Sequence, residues 1–184
     1  MTGVQTCALP ISFFCFPVTI ARVQEGFYEE PKELGTRLML IVSEVAEAYQ
    51  ATNTCKGEKK EWLEYPAERF AILYREKVKG TFDEEIADVC IRLLDTMAFI
   101  KINIDALWDS VHIVNNYEYK LMDIVSELSE CLELDRAGKD FKLNLIHAFK
   151  YAYFGFMAKT NVSLHIQLKM KYNASREALH GKKY

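Results

Sequence analysis

Between Thr81 and Asn103 lies a segment that is apolar almost throughout from Ile86 to Ile102, yet it carries Glu85, Asp88, Arg92 and Asp95 at i, i+3, i+7 and i+10. At ~100° per residue these four side chains share one stripe about 80° wide on an α-helix. The remaining circumference is apolar enough to demand burial on nearly every side. On such a largely buried helix the charged stripe must be paired, metal-bound or open to a cleft. Thr81 and Glu84, three residues apart, read as a capping box that starts it.

The rest of the chain follows the same period. Pro31 at a helix N1 position opens a helix over about 31–52, with Leu34, Leu38, Ile41, Val42, Val45 and Tyr49 as its buried side. A polar connection, Asn53 to Lys60, precedes a short helix from Pro66 to about Lys77 that Gly80 ends. Asp105 can cap a helix through ALWDSVHIV. Further helices are expected over about 117–134, 141–159 and 162–179, with Gly138 breaking the chain between the first two. No segment alternates as a strand does, so the expected class is all-α, a helical bundle.

Composition bounds the function. Half of the 184 residues are hydrophobic, 27% are charged and the net charge is -3, so no basic field recommends nucleic acid as a partner. Five cysteines at irregular spacings, with no C-x-x-C pair, indicate neither a disulfide framework nor a zinc knuckle, and fit a reducing, cytoplasmic compartment. His112, His147, His165 and His180 form no ligand spacing. The apolar run from Cys7 to Ile20 lacks a basic flank and is too short to span a bilayer, so no membrane partner is expected. TGVQTCALPIS resembles a translated sequencing-adapter read-through. Residues 1–14 are therefore expected to be a non-native or disordered leader, with a single helical domain over 18–184.

Within that domain there is a weak internal repeat. LMLIVSEVAEAY from Leu38 matches LMDIVSELSECL from Leu121, a displacement of 83, and FIKINID from Phe99 loosely matches MAKTNVS from Met157, a displacement of 58. Two four-helix-like halves packed as a pseudo-dimer, 24–115 and 117–184, would account for both, with the 53–80 connection unique to the first. Chance similarity between amphipathic helices is the alternative.

Glu44 and Glu47 repeat the acidic design on the 31–52 helix as an i, i+3 pair among apolar residues. Two carboxylate pairs on facing helices would crowd four acids into one volume, where like charges resist joint ionisation. A hard divalent ion resolves that, and magnesium combines a few carboxylates with waters and phosphate oxygens. An isolated E-x-x-E or E-x-x-D is more often a solvated helix face; the argument rests on finding both, each on an apolar helix.

SEVAEAY followed by EEIADVCIRLLD resembles the signature of the MazG-like, all-α nucleoside triphosphate pyrophosphohydrolases, which include deoxycytidine triphosphate pyrophosphatases and, more distantly, dimeric deoxyuridine triphosphatases. EGFYEEP before them and the closing KMKYNASREALHGKKY are similar to phage-type members. The resemblance covers about residues 24–107 and 164–184. It implies Glu44, Glu47, Glu85 and Asp88 as ligands of Mg2+, with Mn2+ as a substitute, and Lys169, Asn173 and Arg176 as nucleotide contacts. It also implies Mg2+-dependent hydrolysis of (deoxy)nucleoside triphosphates to a monophosphate and pyrophosphate, serving nucleotide-pool house-cleaning, and a homodimer as a partner state.

Lys169, Asn173 and Arg176 also stand at i, i+4 and i+7 on one helical face, where lysine and arginine suit phosphate oxygens and asparagine suits ribose or base. Arg92 either touches the nucleotide or neutralises Asp88 or Asp95. Glu44 or Glu47 is the expected proton acceptor for an attacking water. Trp62 is a candidate stacking residue, or core. Lys171, Lys182 and Lys183 are expected at the solvated surface, and Cys90 in the core. The chain departs from single-repeat relatives by about sixty residues between the two motifs. Under the displacement of 58, Leu143 and Ile146 stand where Glu85 and Asp88 should recur. One composite centre per chain is expected, with Glu127 and Glu130 as a relic, a salt-bridged pair or an accessory contact. A degenerate nucleotide-binding regulatory module and a purely structural salt-bridge network are the competing readings.

Overall fold

The computed structural model describes residues 33–102, 121–156 and 159–175. They form an all-α bundle of six helices: α1 (Leu34–Gln50), α2 (Ala67–Lys77), α3 (Phe82–Phe99), α4 (Leu121–Arg136), α5 (Lys142–Phe154) and α6 (Val162–Ala174), with a 3-10 turn, Lys60–Glu64, before α2. There is no strand among the described residues. None of these helices is long and apolar enough to cross a membrane.

Helix α3 is the axis, packing against α1, α5 and α6, while α4 closes the bundle against α1 and α5. Its apolar run explains that position: Ile86, Ala87, Val89, Cys90, Leu93, Leu94 and Met97 are wholly excluded from solvent. Thr81 caps it by accepting from the Glu84 amide at 3.3 Å. The first turn carries Asp83, Glu84 and Glu85, which favour the positive end of the helix. A second, smaller core joins the 51–64 connection and α2 to α6 through Cys55, Trp62, Phe70, Tyr74, Val78, Leu164, Leu168 and Tyr172. Trp62 is therefore core and not a stacking surface. Tyr74 and Tyr172 stack within it, ring centroids 4.2 Å apart.

The repeat has a structural echo in burial. Ile41, Val45 and Ala48 of α1 are buried, and so are Ile124, Leu128 and Cys131 of α4, their equivalents under the displacement of 83. Helix α1 packs on α3 as α4 packs on α5.

Some boundaries and faces differ from expectation. Helix α1 starts at Leu34 after Glu33, and Pro31 lies outside the described residues. Tyr49, expected in the core, is 82% exposed. The buried arc of α1 is turned away from it toward Arg37, which is drawn inside by an ion pair with Asp95 at 3.1 Å. Helix α5 ends at Phe154, several residues early, because the chain must turn into α6, which Asn161 caps by accepting from the Leu164 amide. Lys171, expected to be solvated, donates to the Leu63 and Tyr65 carbonyls at 2.6 and 2.7 Å, tying α6 to the end of the 3-10 turn. The helix expected from Asp105, the start of the one expected over 117–134, and Lys182 and Lys183 fall outside the described residues.

Candidate metal centre

Helices α1 and α3 bring Glu44, Glu85 and Asp88 together: one carboxylate oxygen from each lies within 4.8 Å of the others. The sites on α3 are one turn apart on the stripe, and Glu44 reaches them from the flank of α1's buried arc. Glu47 does not join this group. A step of three residues turns ~60° further around the helix, which carries Glu47 away from the buried arc into solvent. Its charge still reaches Glu85, so it stands at the rim.

The cluster is set among cations. Lys169 of α6 spans Asp88 Oδ2 at 2.5 Å and Glu84 Oε1 at 2.7 Å, with only 13% of its side chain exposed. Arg92 Nε donates to Glu44 Oε1 at 3.0 Å. Arg92 thus has an acid partner that its spacing on α3 did not suggest, Glu44 of α1, while Arg37 pairs with Asp95. The carboxylate of Glu85, a residue 9% exposed, makes no hydrogen bond or ion pair among the described residues.

Charge and burial act on these groups together. Burial, then Glu84 and Asp88, push Glu85 up to about 7 against the pull of Lys169, and Glu47 adds to the push. Burial also pushes Asp88 up to about 6, although Lys169 pulls the other way, with Glu44 and Glu84 reinforcing the rise. Burial alone would lower the Lys169 ammonium; Asp88 and Glu84 outweigh it and hold that group above its ordinary value. Two cations do not fully offset the acids gathered here. The donor set is oxygen only, compact and short of positive charge, which is the chemistry a hard divalent ion fits.

Glu84 carries a role the sequence did not reveal beyond capping. Its carboxylate accepts from Tyr74 OH at 3.0 Å, from the Gly80 amide and from Lys169, so it fixes where that ammonium stands. Its position directly before Glu85 was a signal, obscured because a capping glutamate explains itself. Asn173 is half-buried one turn beyond Lys169 on α6, and Arg176 lies outside the described residues. In the second half, Glu127 accepts from Asn144 Nδ2 at 2.9 Å and lies 3.5 Å from His147 Nδ1, while Glu130 is exposed. Cys90 is fully buried, as expected, and burial raises its thiol far above the ordinary range. Comparison with family models, with curated proteins and with solved structures finds no match to this chain.

Proposed function

We propose that this chain is a divalent-cation-dependent nucleoside triphosphate pyrophosphohydrolase, acting on (deoxy)nucleoside triphosphates in nucleotide-pool house-cleaning. The observation that carries this reading is the convergence of Glu44, Glu85 and Asp88 from two helices, with Glu85 lacking any partner among the described residues. Glu44, Glu85 and Asp88 would hold Mg2+, or Mn2+ in its place. When bound, such an ion supplies neutralising charge to phosphate oxygens and lowers the pKa of a coordinated water.

The residues of the chain divide the remaining work. Lys169 and Arg92 balance the carboxylates through Asp88, Glu84 and Glu44. With those carboxylates holding an ion, Lys169 and Arg92 would be left to bind phosphate oxygens, so that the same lysine and arginine would serve both states. Glu84, anchored by Tyr74 and Gly80, keeps Lys169 within reach of either partner. Glu47, at the rim and outside the cluster, is the carboxylate left to accept a proton from the attacking water. In-line positioning and charge compensation are what phosphoryl transfer needs most, and no covalent nucleophile is called for. Asn173 follows Lys169 by one turn and is suited to ribose or base.

A second reading has an observation of its own. Three of the four stripe residues, Asp88, Arg92 and Asp95, are in ion pairs, as a purely structural network would require. A panel of nucleoside triphosphates with Mg2+, scored separately for pyrophosphate and orthophosphate, decides between them. The enzyme releases pyrophosphate and a monophosphate in an Mg2+-dependent manner. Absence of turnover on every base, together with no Mg2+-dependent thermal shift, would leave the structural network standing. Binding without turnover would mark the nucleotide-sensing alternative.

A further inference from the structure

The connection between α1 and the 3-10 turn meets α6 at a group unrelated to the carboxylate cluster. Cys55 and Glu58, three residues apart, and His165, more than a hundred residues later, each offer one donor atom, and these atoms lie within 4.8 Å of one another. Gly57, at φ 71°, supplies the left-handed turn that brings Glu58 back beside Cys55. Asp83 pins the same loop by accepting from the Cys55 amide at 2.6 Å, and Asn53 accepts from the Phe82 amide at 2.8 Å.

His165 is the telling member. It is wholly buried, and neither ring nitrogen has a hydrogen-bond partner among the described residues. A neutral imidazole carries one donor and one acceptor, and leaving either unsatisfied inside a protein costs about 1–3 kcal/mol. Burying both is unusual unless something occupies the space they face. Glu58 likewise makes no ion pair or hydrogen bond among the described residues. Cys55 is a free thiol, and the Asp83 carboxylate acts electrostatically on both Cys55 and His165. A thiol, an imidazole and a carboxylate thus converge beside a further acid, with no cation among their partners in the described residues.

We propose that Cys55, Glu58 and His165 form a second cation site, selective for a zinc-class ion. Sulfur and nitrogen donors select against magnesium and calcium and in favour of a borderline-soft divalent ion. Ligand atoms around a tetrahedral zinc stand roughly 3.3–3.8 Å apart at usual bond lengths, so small side-chain rotations close the observed separation. The ion ties the 51–59 connection to α6. Through Asp83 it also ties that connection to the first turn of α3, two residues before Glu85. Its role is architectural: it holds in register the two elements that present Lys169 and Glu85 to each other.

The test uses the full chain stripped of metal and titrated with Co2+ alone, followed by displacement with Zn2+. One equivalent of cobalt bound at this site is expected to give a thiolate-to-cobalt charge-transfer band with tetrahedral ligand-field bands, all removed by zinc; cobalt on the all-oxygen carboxylate cluster contributes no thiolate band. Cys55→Ser, nearly isosteric and so expected to fold with unchanged far-UV circular dichroism, should lose the charge-transfer band. In a chelator competition it should also weaken zinc by more than about 100-fold, beyond the 10–100-fold typical of residues that merely orient a ligand. Glu58→Gln should weaken it while keeping the band. Asp88→Asn should keep both band and affinity, which separates this site from the carboxylate cluster and leaves it testable even if no triphosphate is hydrolysed. Absence of a thiolate band, or its persistence in Cys55→Ser, overturns the proposal.

Discussion

Helices α1 and α4 present the same glutamate pair to different neighbours. Glu44 and Glu127 stand 83 residues apart at matching positions, both half-buried, each followed one turn later by an exposed glutamate, Glu47 or Glu130. Glu44 meets Glu85, Asp88 and Arg92 on α3. Glu127 meets Asn144 and His147 on α5, where Leu143 and Ile146 occupy the positions equivalent to Glu85 and Asp88. An E-x-x-E face is therefore indifferent by itself. Its chemistry is set by what the facing helix buries: on α3, two carboxylates whose ionisation burial opposes; on α5, one leucine half in solvent and one isoleucine in the core.

The widest separation between the halves is expected in turnover. Asp88→Asn removes a proposed ion ligand and one of the two carboxylates that hold Lys169, and should reduce kcat for triphosphate hydrolysis by about 1,000-fold, the equivalent of several kcal/mol of transition-state stabilisation. The fold should survive, since an amide fits where the carboxylate was. Single-turnover assays with and without Mg2+ check this; a loss under tenfold would break the assignment of the cluster to catalysis.

The converse change asks whether the second half could tolerate such a centre. Ile146 is 1% exposed. Ile146→Asp would place a carboxylate there without Lys169, though one turn before the buried Lys150, and should destabilise by about 3 kcal/mol. For a chain of this size that is a fall in Tm of about 10 °C. Thermal unfolding measures it. A negligible change would mean that α5 already shelters counter-charge, and that the contrast with α3 is overstated.

Much of this arrangement was legible beforehand, and the rest failed for reasons of geometry. The helical class followed from the 3.6-residue period and the burial of α3 from an apolar run with one charged stripe, whereas its place on the axis is set by long-range packing against α1, α5 and α6. Glu44, Glu85 and Asp88 were legible because their spacing and apolar surroundings oppose solvation. That Glu47 stands in solvent beside the group was not legible, because motif spacing does not report the rotation of α1 about its axis. That rotation is set by Arg37 reaching Asp95, a contact 58 residues apart in the chain. Tyr49 failed with it. Glu84 looked like a cap and proved also to be the anchor of Lys169. His165 was set aside for lacking ligand spacing, yet its neighbours come from the other end of the chain, and no local pattern encodes that.

A subtler contrast concerns protons. Glu85 and Asp88, pushed to about 7 and about 6, hold protons in the folded chain that an unfolded chain has released. Stability must then fall as pH rises from about 4 to about 7 and level off above, because the folded state binds more protons in that window. The slope should amount to roughly 1–3 kcal/mol in total, several degrees of Tm. Glu85→Gln should flatten it and raise Tm at pH 8 in the absence of divalent ions. Mg2+ should stabilise the wild-type chain most at that pH. An identical pH slope in wild type and Glu85→Gln would locate the effect elsewhere.

The smallest effect belongs to the glutamates of α4. Glu127 keeps 15% and His147 32% of the side chain exposed, so water screens their pairing, and such contacts contribute about 0–1 kcal/mol. Glu127→Gln retains an acceptor for Asn144 and adds no buried charge. Glu130 is already in solvent. The double variant Glu127→Gln, Glu130→Gln should therefore change Tm by no more than about 3 °C and hydrolysis by less than about twofold, because neither residue faces a carboxylate across the helix interface. The value of so small a number lies in its pairing with Asp88→Asn on the same assay. If both variants lost turnover alike, the two halves would share one reaction, and the neighbour on the facing helix would not be what separates them.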